Sequence, residues 1–211
     1  MAKSPEQRVP TPSEITTMAK TFRRKHPDDY GLACCVFDLA VDAEAYYRDR
    51  PSIADQMQLS MAFSEWLVYD YELDDGKSLI RSYARKHREF REFAKTQFYA
   101  RFWVISQDPE RDLTQLRDMN THGDFWVTDA SLARKEQWQT GTLGMRIAQV
   151  GGIWYYAGQL QLHDVAPSDP APCDEEVTQG IHEPAAFISD VESVLGHYGA
   201  YTDRVLGYQV I

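Results

Sequence analysis

Four carboxylates could do acid–base or metal chemistry in this 211-residue chain: Glu65 and Asp70 in a helical stretch, Asp118 and Asp129 in a later strand-rich one. A hydrolase or nuclease needs two such groups close together, one to move a proton and one to hold a nucleophile or an ion. Nothing in their spacing brings a pair together, so a carboxylate-dependent hydrolase is kept only as a second alternative. Asp70 falls on an apolar stripe, four residues after Trp66 and three after Leu67, near a helix C-terminus where the dipole disfavours negative charge. A carboxylate placed there needs a partner, and the expectation is a structural pair with Arg81 or Tyr83.

Other chemistries find less support. Gly76-Lys77-Ser78 has the ending of a phosphate-binding loop, but Tyr71 stands where that motif needs its first glycine. Cys34 and Cys35 are adjacent among apolar residues and read as small hydrophobes rather than a redox pair, and Cys173 sits alone in a proline-rich stretch. His26, His87, His122, His163, His182 and His197 show no ligand spacing, and no C-x-x-C occurs, so no metal, cofactor or catalytic residue is assigned. Arg81 to Lys95 carries six bases (Arg81, Arg85, Lys86, Arg88, Arg91, Lys95) against Glu89 and Glu92. Such a run most often forms a solvated helix face laced with ion pairs, and could also follow a phosphate backbone.

The elements that must position these residues are legible from periodicity. Residues 1–10 read as a mobile leader. Thr11-Pro12-Ser13-Glu14 combines a capping threonine, proline at the first helical position and a glutamate that closes a capping box, and that helix should stop at His26 before Pro27. A second helix is expected over about Tyr30 to Asp49, with Leu32, Val36, Leu39, Ala43 and Tyr47 turned inward. A third begins at Pro51 and prolongs its stripe through Ile53, Leu59, Phe63, Trp66, Leu67 and Tyr71. Asp74-Asp75-Gly76 then makes a turn, Ser78 caps a further helix from Leu79, and Leu79, Ile80, Tyr83, Phe90 and Phe93 face inward until the helical region ends near Gln97.

From Phe98 the period changes to two. Strands are expected at Phe98 to Ser106, Leu113 to Met119 and Phe125 to Thr128. Thr142 to Val150 and Ile153 to Leu162 form a hairpin turned by Gly151-Gly152. Asp164 to Gly180 reads as a linker, and Glu183-Pro184 opens a last helix with Phe187, Val191, Leu195 and Tyr198 on one stripe. The predicted fold is α+β: four to five helices over 1–97, a small antiparallel five-stranded sheet or barrel over 98–163, and an acidic linker with a C-terminal helix over 164–211.

At 43% hydrophobic and 26% charged the chain has the composition of a globular protein, and its longest apolar run, Leu32 to Phe37, is far short of a membrane span. The opening MAKSPEQRVPTPSE has no hydrophobic segment, so a cytoplasmic location and no membrane partner are expected. Residues 164–211 hold nine acids and one base, so most of the net charge of −10 belongs to the tail.

Phe63-Ser64-Glu65-Trp66-Leu67-Val68-Tyr69-Asp70-Tyr71 and Asp75-Gly76-Lys77-Ser78-Leu79 resemble a bacterial helical-plus-small-β-barrel module of unknown function that often accompanies a SEC-C zinc motif. Arg117 to Gly123 and Gly152 to Gly158 match its later pieces, so the similarity spans about residues 55–163. The SEC-C motif itself is absent, since no C-x-C pair occurs. The resemblance implies the helical-plus-sheet architecture and assigns no catalytic residue. With no nucleophile, metal or phosphate pattern in the chain and with many aromatic residues, the leading expectation is a non-catalytic interaction or binding module. It acts on an unknown protein partner or a second copy. Tyr46, Tyr47, Tyr99, Trp103, Trp126, Trp138, Tyr155 and Tyr156 either fill the two cores or, where some are exposed together, form a binding patch. The alternative is a nucleic-acid-associated protein that uses the basic helix Arg81 to Lys95 and the small barrel, masked by the acidic tail. Nucleic acid is the less favoured partner because a protein of charge −10 is repelled by polyanions.

Overall fold

The computed structural model describes residues 6–43, 53–164, 169–182 and 184–196, with 53–55, 137 and 193–196 as backbone only. Helix α1 (Pro12–Lys25) starts with the expected capping box: the Thr11 side chain accepts from Glu14 N while the Glu14 carboxylate accepts from Thr11 N. Helix α2 spans Pro27–Ala40, ends in a turn at Asp42 with φ of 48°, and buries Ala33 and Phe37. Helix α3 (Ile53–Tyr69) is covered over its second half on two sides, by α1 and α2 on one and by the β-barrel on the other, so that Ala62, Phe63 and Trp66 to Tyr69 are all buried. Phe63 and Trp66 meet Phe37 of α2, whereas Tyr69 reaches the barrel strand carrying Ala157.

Two expectations about the helices are corrected. Leu32, Val36 and Leu39 are not inward but exposed, because two apolar stripes compete on α2 and the aromatic Phe37 takes the core side. The basic segment is not one helix: it breaks into α4 (Leu79–Ala84), a 3₁₀ turn (Arg88–Phe90) and α5 (Phe93–Thr96). The break is filled by the chain's own beginning. Gln7 bonds Arg88 O and Glu92 N, Arg8 N donates to Glu89 O, and the Arg8 guanidinium lies 4.5 Å from the centre of the Phe90 ring. Residues 7–9 are therefore a pinned strap rather than a mobile leader. Ser78 stands at the N-terminus of α4, yet its hydroxyl makes no capping bond. Tyr46, Tyr47, Leu195, Tyr198, the Ile53 side chain and the last fifteen residues lie outside the described ones.

Five strands follow: β1 (Phe98–Asp108), β2 (Leu113–Asp118), β3 (Asp124–Thr128), β4 (Thr142–Val150) and β5 (Ile153–Asp164). Gly151 and Gly152, at φ of 60° and 81°, turn the β4–β5 hairpin. The strands close into a barrel in the order β1-β2-β3-β5-β4, which is OB-type Greek-key connectivity. All pairs are antiparallel except β3 with β5, a short parallel contact of Val127 with Trp154 and Thr128 with Tyr155 that the sequence reading did not anticipate. Phe98, Phe102, Phe125, Leu143 and Met145 fill the barrel. Its end is plugged by Leu132 of α6 (Ala130–Ala133) and by Trp138.

Glu14 gives this fold a measurable pH dependence. Its bidentate pair with Arg8, at 2.6 and 2.8 Å, and its bonds to Thr11 hold the carboxyl down to about 2. A depressed carboxyl stabilises the fold above its unfolded value of about 4.5 and loses that contribution as pH falls toward 2. Glu14→Gln should cost about 1 kcal/mol at pH 7, a figure discounted for the pair's partial exposure. Urea unfolding should show the difference from the parent shrinking to nothing by about pH 2.

Candidate functional site

Glu65 and Asp70 do converge, but on a cation rather than in a cleft. Arg146 of β4 is fully buried between α3 and the barrel. Its Nε donates to Glu65 Oε1 at 3.0 Å, Nη2 to Asp70 Oδ2 at 2.7 Å and Nη1 to Gln97 Oε1 at 2.6 Å. The guanidinium lies 4.7 Å from the centre of the Tyr69 ring, with Tyr99 and Phe187 also within 6 Å. Glu65 Oε2 accepts from the backbone N–H groups of Gln159 and Leu160, next to the irregularity in β5. Burial raises the Glu65 carboxyl above the usual carboxylate range, and Arg146 and the Gln159 N–H offset this only in part. Every bond to it is an accepted one, so the geometry is that of the ionised form. Burial alone would lower the Arg146 pKa, but Asp70 and Glu65 more than reverse this and keep it charged.

Asp70 thus has the structural role expected of it, with Arg146 as partner instead of Arg81 or Tyr83. Its other oxygen, Oδ1, makes no hydrogen bond and faces His182 Nε2 at 3.3 Å. Asp118 and Asp129 are also committed to structure. Asp118 Oδ1 accepts from Asn120 N and Thr121 N in the turn after β2, and Asp129 caps α6 through Leu132 N. Among the described residues no group of three His, Cys, Asp or Glu side chains is placed to hold a metal. Arg146 escaped the sequence reading. The available sign was a lone arginine in an otherwise mostly apolar strand, Thr142–Val150.

Of the two readings of the aromatic residues, core filling holds for most of those described. Tyr99, Trp103 and Trp138 are buried, Tyr155 and Tyr156 are half-buried against the two cores, and Trp126 is exposed at 47%. The outer side of β2 and β3 is crossed by the chain's own segment 169–182. Arg117, paired with Asp124 at 2.6 Å, donates to Ala171 O, and Asp174 N donates to His122 O beyond it. Gly180 then lies against the Phe98 ring so closely that a Cβ would overlap it. The segment leads into α7 (Pro184–Gly196), which docks on β1 and α3. There the Asp190 carboxylate accepts from Tyr99 Oη at 2.8 Å and Arg101 Nε at 2.6 Å. The helix therefore settles beside Arg146, with its buried acid on Arg101 rather than on the Arg81 to Lys95 segment.

Among the described residues, two of the open surfaces have a distinct chemistry. One is the outer stripe of α2. The other is a trough of about 520 Å³ lined by Arg81, Ala84, Arg85, Arg91, Ala94 and Lys95. The chain matches no family model, no curated protein and no solved structure.

The Arg146 site makes two expectations. A Cβ at Gly158 would stand 2.7 Å from Glu65 Oε1 and 3.2 Å from Arg146 Cβ. Gly158→Ala should therefore destabilise by about 1–3 kcal/mol in urea unfolding, although alanine normally favours a strand over glycine. Arg146→Lys should cost about 3 kcal/mol or more, since an ammonium cannot span Glu65, Asp70 and Gln97 in one plane. A loss under 1 kcal/mol in either variant would show that the carboxylates are not pinned as described.

Proposed function

We propose that the chain is a non-catalytic binding module whose partner docks on the outer face of α2. The observation that carries this reading is the exposure of Leu32, Val36 and Leu39, at 59%, 41% and 84%, on the side of α2 turned away from Phe37. Three large aliphatics at helical spacing form a stripe that an isolated fold has no reason to present. Burying what each still exposes contributes part of the ~1.5–3 kcal/mol that complete burial of such a side chain is worth.

Charge argues for the kind of partner. Residues 27–43 contain Asp28, Asp29, Asp38 and Asp42, all exposed, and no lysine or arginine. A second copy laid on this helix would oppose acid to acid, which disfavours self-association. An amphipathic helix with an apolar stripe and basic flanks satisfies both the aliphatics and the aspartates.

The test places a photo-crosslinking amino acid at Val36 in the full chain, expressed in its native cell, and sequences the crosslinked peptides. The expected product is a helical segment with apolar residues at i, i+4 and i+7 and flanking Lys or Arg, lost when Leu39 is replaced by Glu. Crosslinks to a second copy alone, or none that Leu39→Glu removes, would overturn the reading. In parallel, Leu39→Ser should change stability by less than about 0.5 kcal/mol, against about 3–5 kcal/mol for Phe37→Ala on the opposite side of the helix.

A further inference from the structure

The basic segment becomes a different object once it is broken. In one continuous helix Arg81, Arg85, Arg91 and Lys95 would be spread along a convex rod. In the structure α5 returns beside α4, and the four side chains border one trough floored by the buried Ala84 and Ala94. Arg91 is held at the bend by the carbonyls of Ala84 and Arg85, at 3.4 and 3.5 Å. Among the described residues no carboxylate is ion-paired with Arg81, Arg85, Arg91 or Lys95, although all four are exposed. The acids of the same stretch point elsewhere: Glu89 lies 3.6 Å from His87, and Glu92 is half-buried.

Four like charges repel one another, Arg85 feels Asp75, which is itself paired with Lys77, and an anionic ligand relieves the repulsion. The trough is shallow and open, with a floor of methyl groups and no buried polar donor, so it is shaped to follow an extended polyanion rather than to enclose a small ion. We infer that this trough binds the phosphodiester backbone of a single-stranded nucleic acid, with Arg81, Arg85, Arg91 and Lys95 as its phosphate contacts. Recognition is by charge and is independent of sequence, because no exposed aromatic ring lines the trough to stack a base. The chain's overall charge of −10 weakens this binding without abolishing it. Of the described acids of the tail, Asp190 is ion-paired with Arg101, away from the trough.

The test is fluorescence anisotropy of a labelled 20-nucleotide oligouridylate titrated with the full chain between 50 and 300 mM salt. A second arm uses inorganic polyphosphate as competitor. Binding at 50 mM salt should fall in the range of about 1–100 μM and weaken steeply with salt. Combined Arg81→Ala, Arg85→Ala, Arg91→Ala and Lys95→Ala changes should reduce the log–log salt slope by about 3, at about 0.7 per phosphate contact on a single strand. A control removes Lys20, Arg23 and Arg24, a comparable basic group in the groove between α1 and α2, and should leave affinity within about twofold. Circular dichroism must show both variants folded. If the fourfold variant unfolds, Arg81→Ala with Lys95→Ala replaces it, with an expected slope loss of about 1.4. The inference is overturned by no binding at 50 mM salt, by equal loss in the control, or by binding of polyphosphate without the oligonucleotide.

Discussion

The buried Arg146 guanidinium is the constraint on which the rest of the structure depends. It sits on β4, but its partners come from α3 (Glu65), the residue that follows α3 (Asp70) and the residue before β1 (Gln97). The second oxygen of Glu65 is spent on the backbone of β5. One cation therefore fixes how the helical array meets the barrel. Such a group is a poor source of stability compared with well-packed apolar side chains, since both signs of charge must be stripped of water. Its physical effect is specificity. Any other seating of α3 on the barrel would leave a fully buried charge unpaired, which costs several kcal/mol. The phenol of Tyr69, bonded to Ala157 O, and the ring of Phe187 then close the site to water.

The placement of elements was largely legible in the sequence, because it rests on local chemistry. The capping box at Thr11, the change of period at Phe98 and the two-glycine turn at Gly151 each act within a few residues. What was not legible depends on contacts distant along the chain. Asp70 declared its need for a partner, but that partner lies 76 residues away. The basic segment looks like one helix until Gln7 and Arg8 are seen to take the bonds at its break. Leu32 outranks Ala33 in hydrophobicity, yet Phe37 decided which side of α2 faces Phe63 and Trp66. The parallel contact of β3 with β5 is a property of barrel closure and has no local sign.

The candidate site was legible in reverse. Of the carboxylates with chemical potential, Glu65, Asp70 and Asp118 are buried in structural bonds and Asp129 serves as a cap. The surfaces left over are the ones that composition alone reads as ordinary: an aliphatic stripe on an acidic helix and a cationic trough. Net charge averages these opposite surfaces into a single number. The acidic stretch on α2 and the cations of the Arg81 to Lys95 segment lie on separate parts of the fold, so one molecule can present both.

Native-state hydrogen exchange on the full chain tests most directly the claim that Arg146 joins the two halves into one unit. The account predicts that the Gln159 and Leu160 amides, which donate to Glu65, exchange only by global opening, in the same slowest class as the amides of Leu67 and Val68 in α3. The account is contradicted if the barrel amides remain protected while α3 exchanges through a lower-energy opening of its own. In that case the guanidinium would be a local contact and not the joint of the fold.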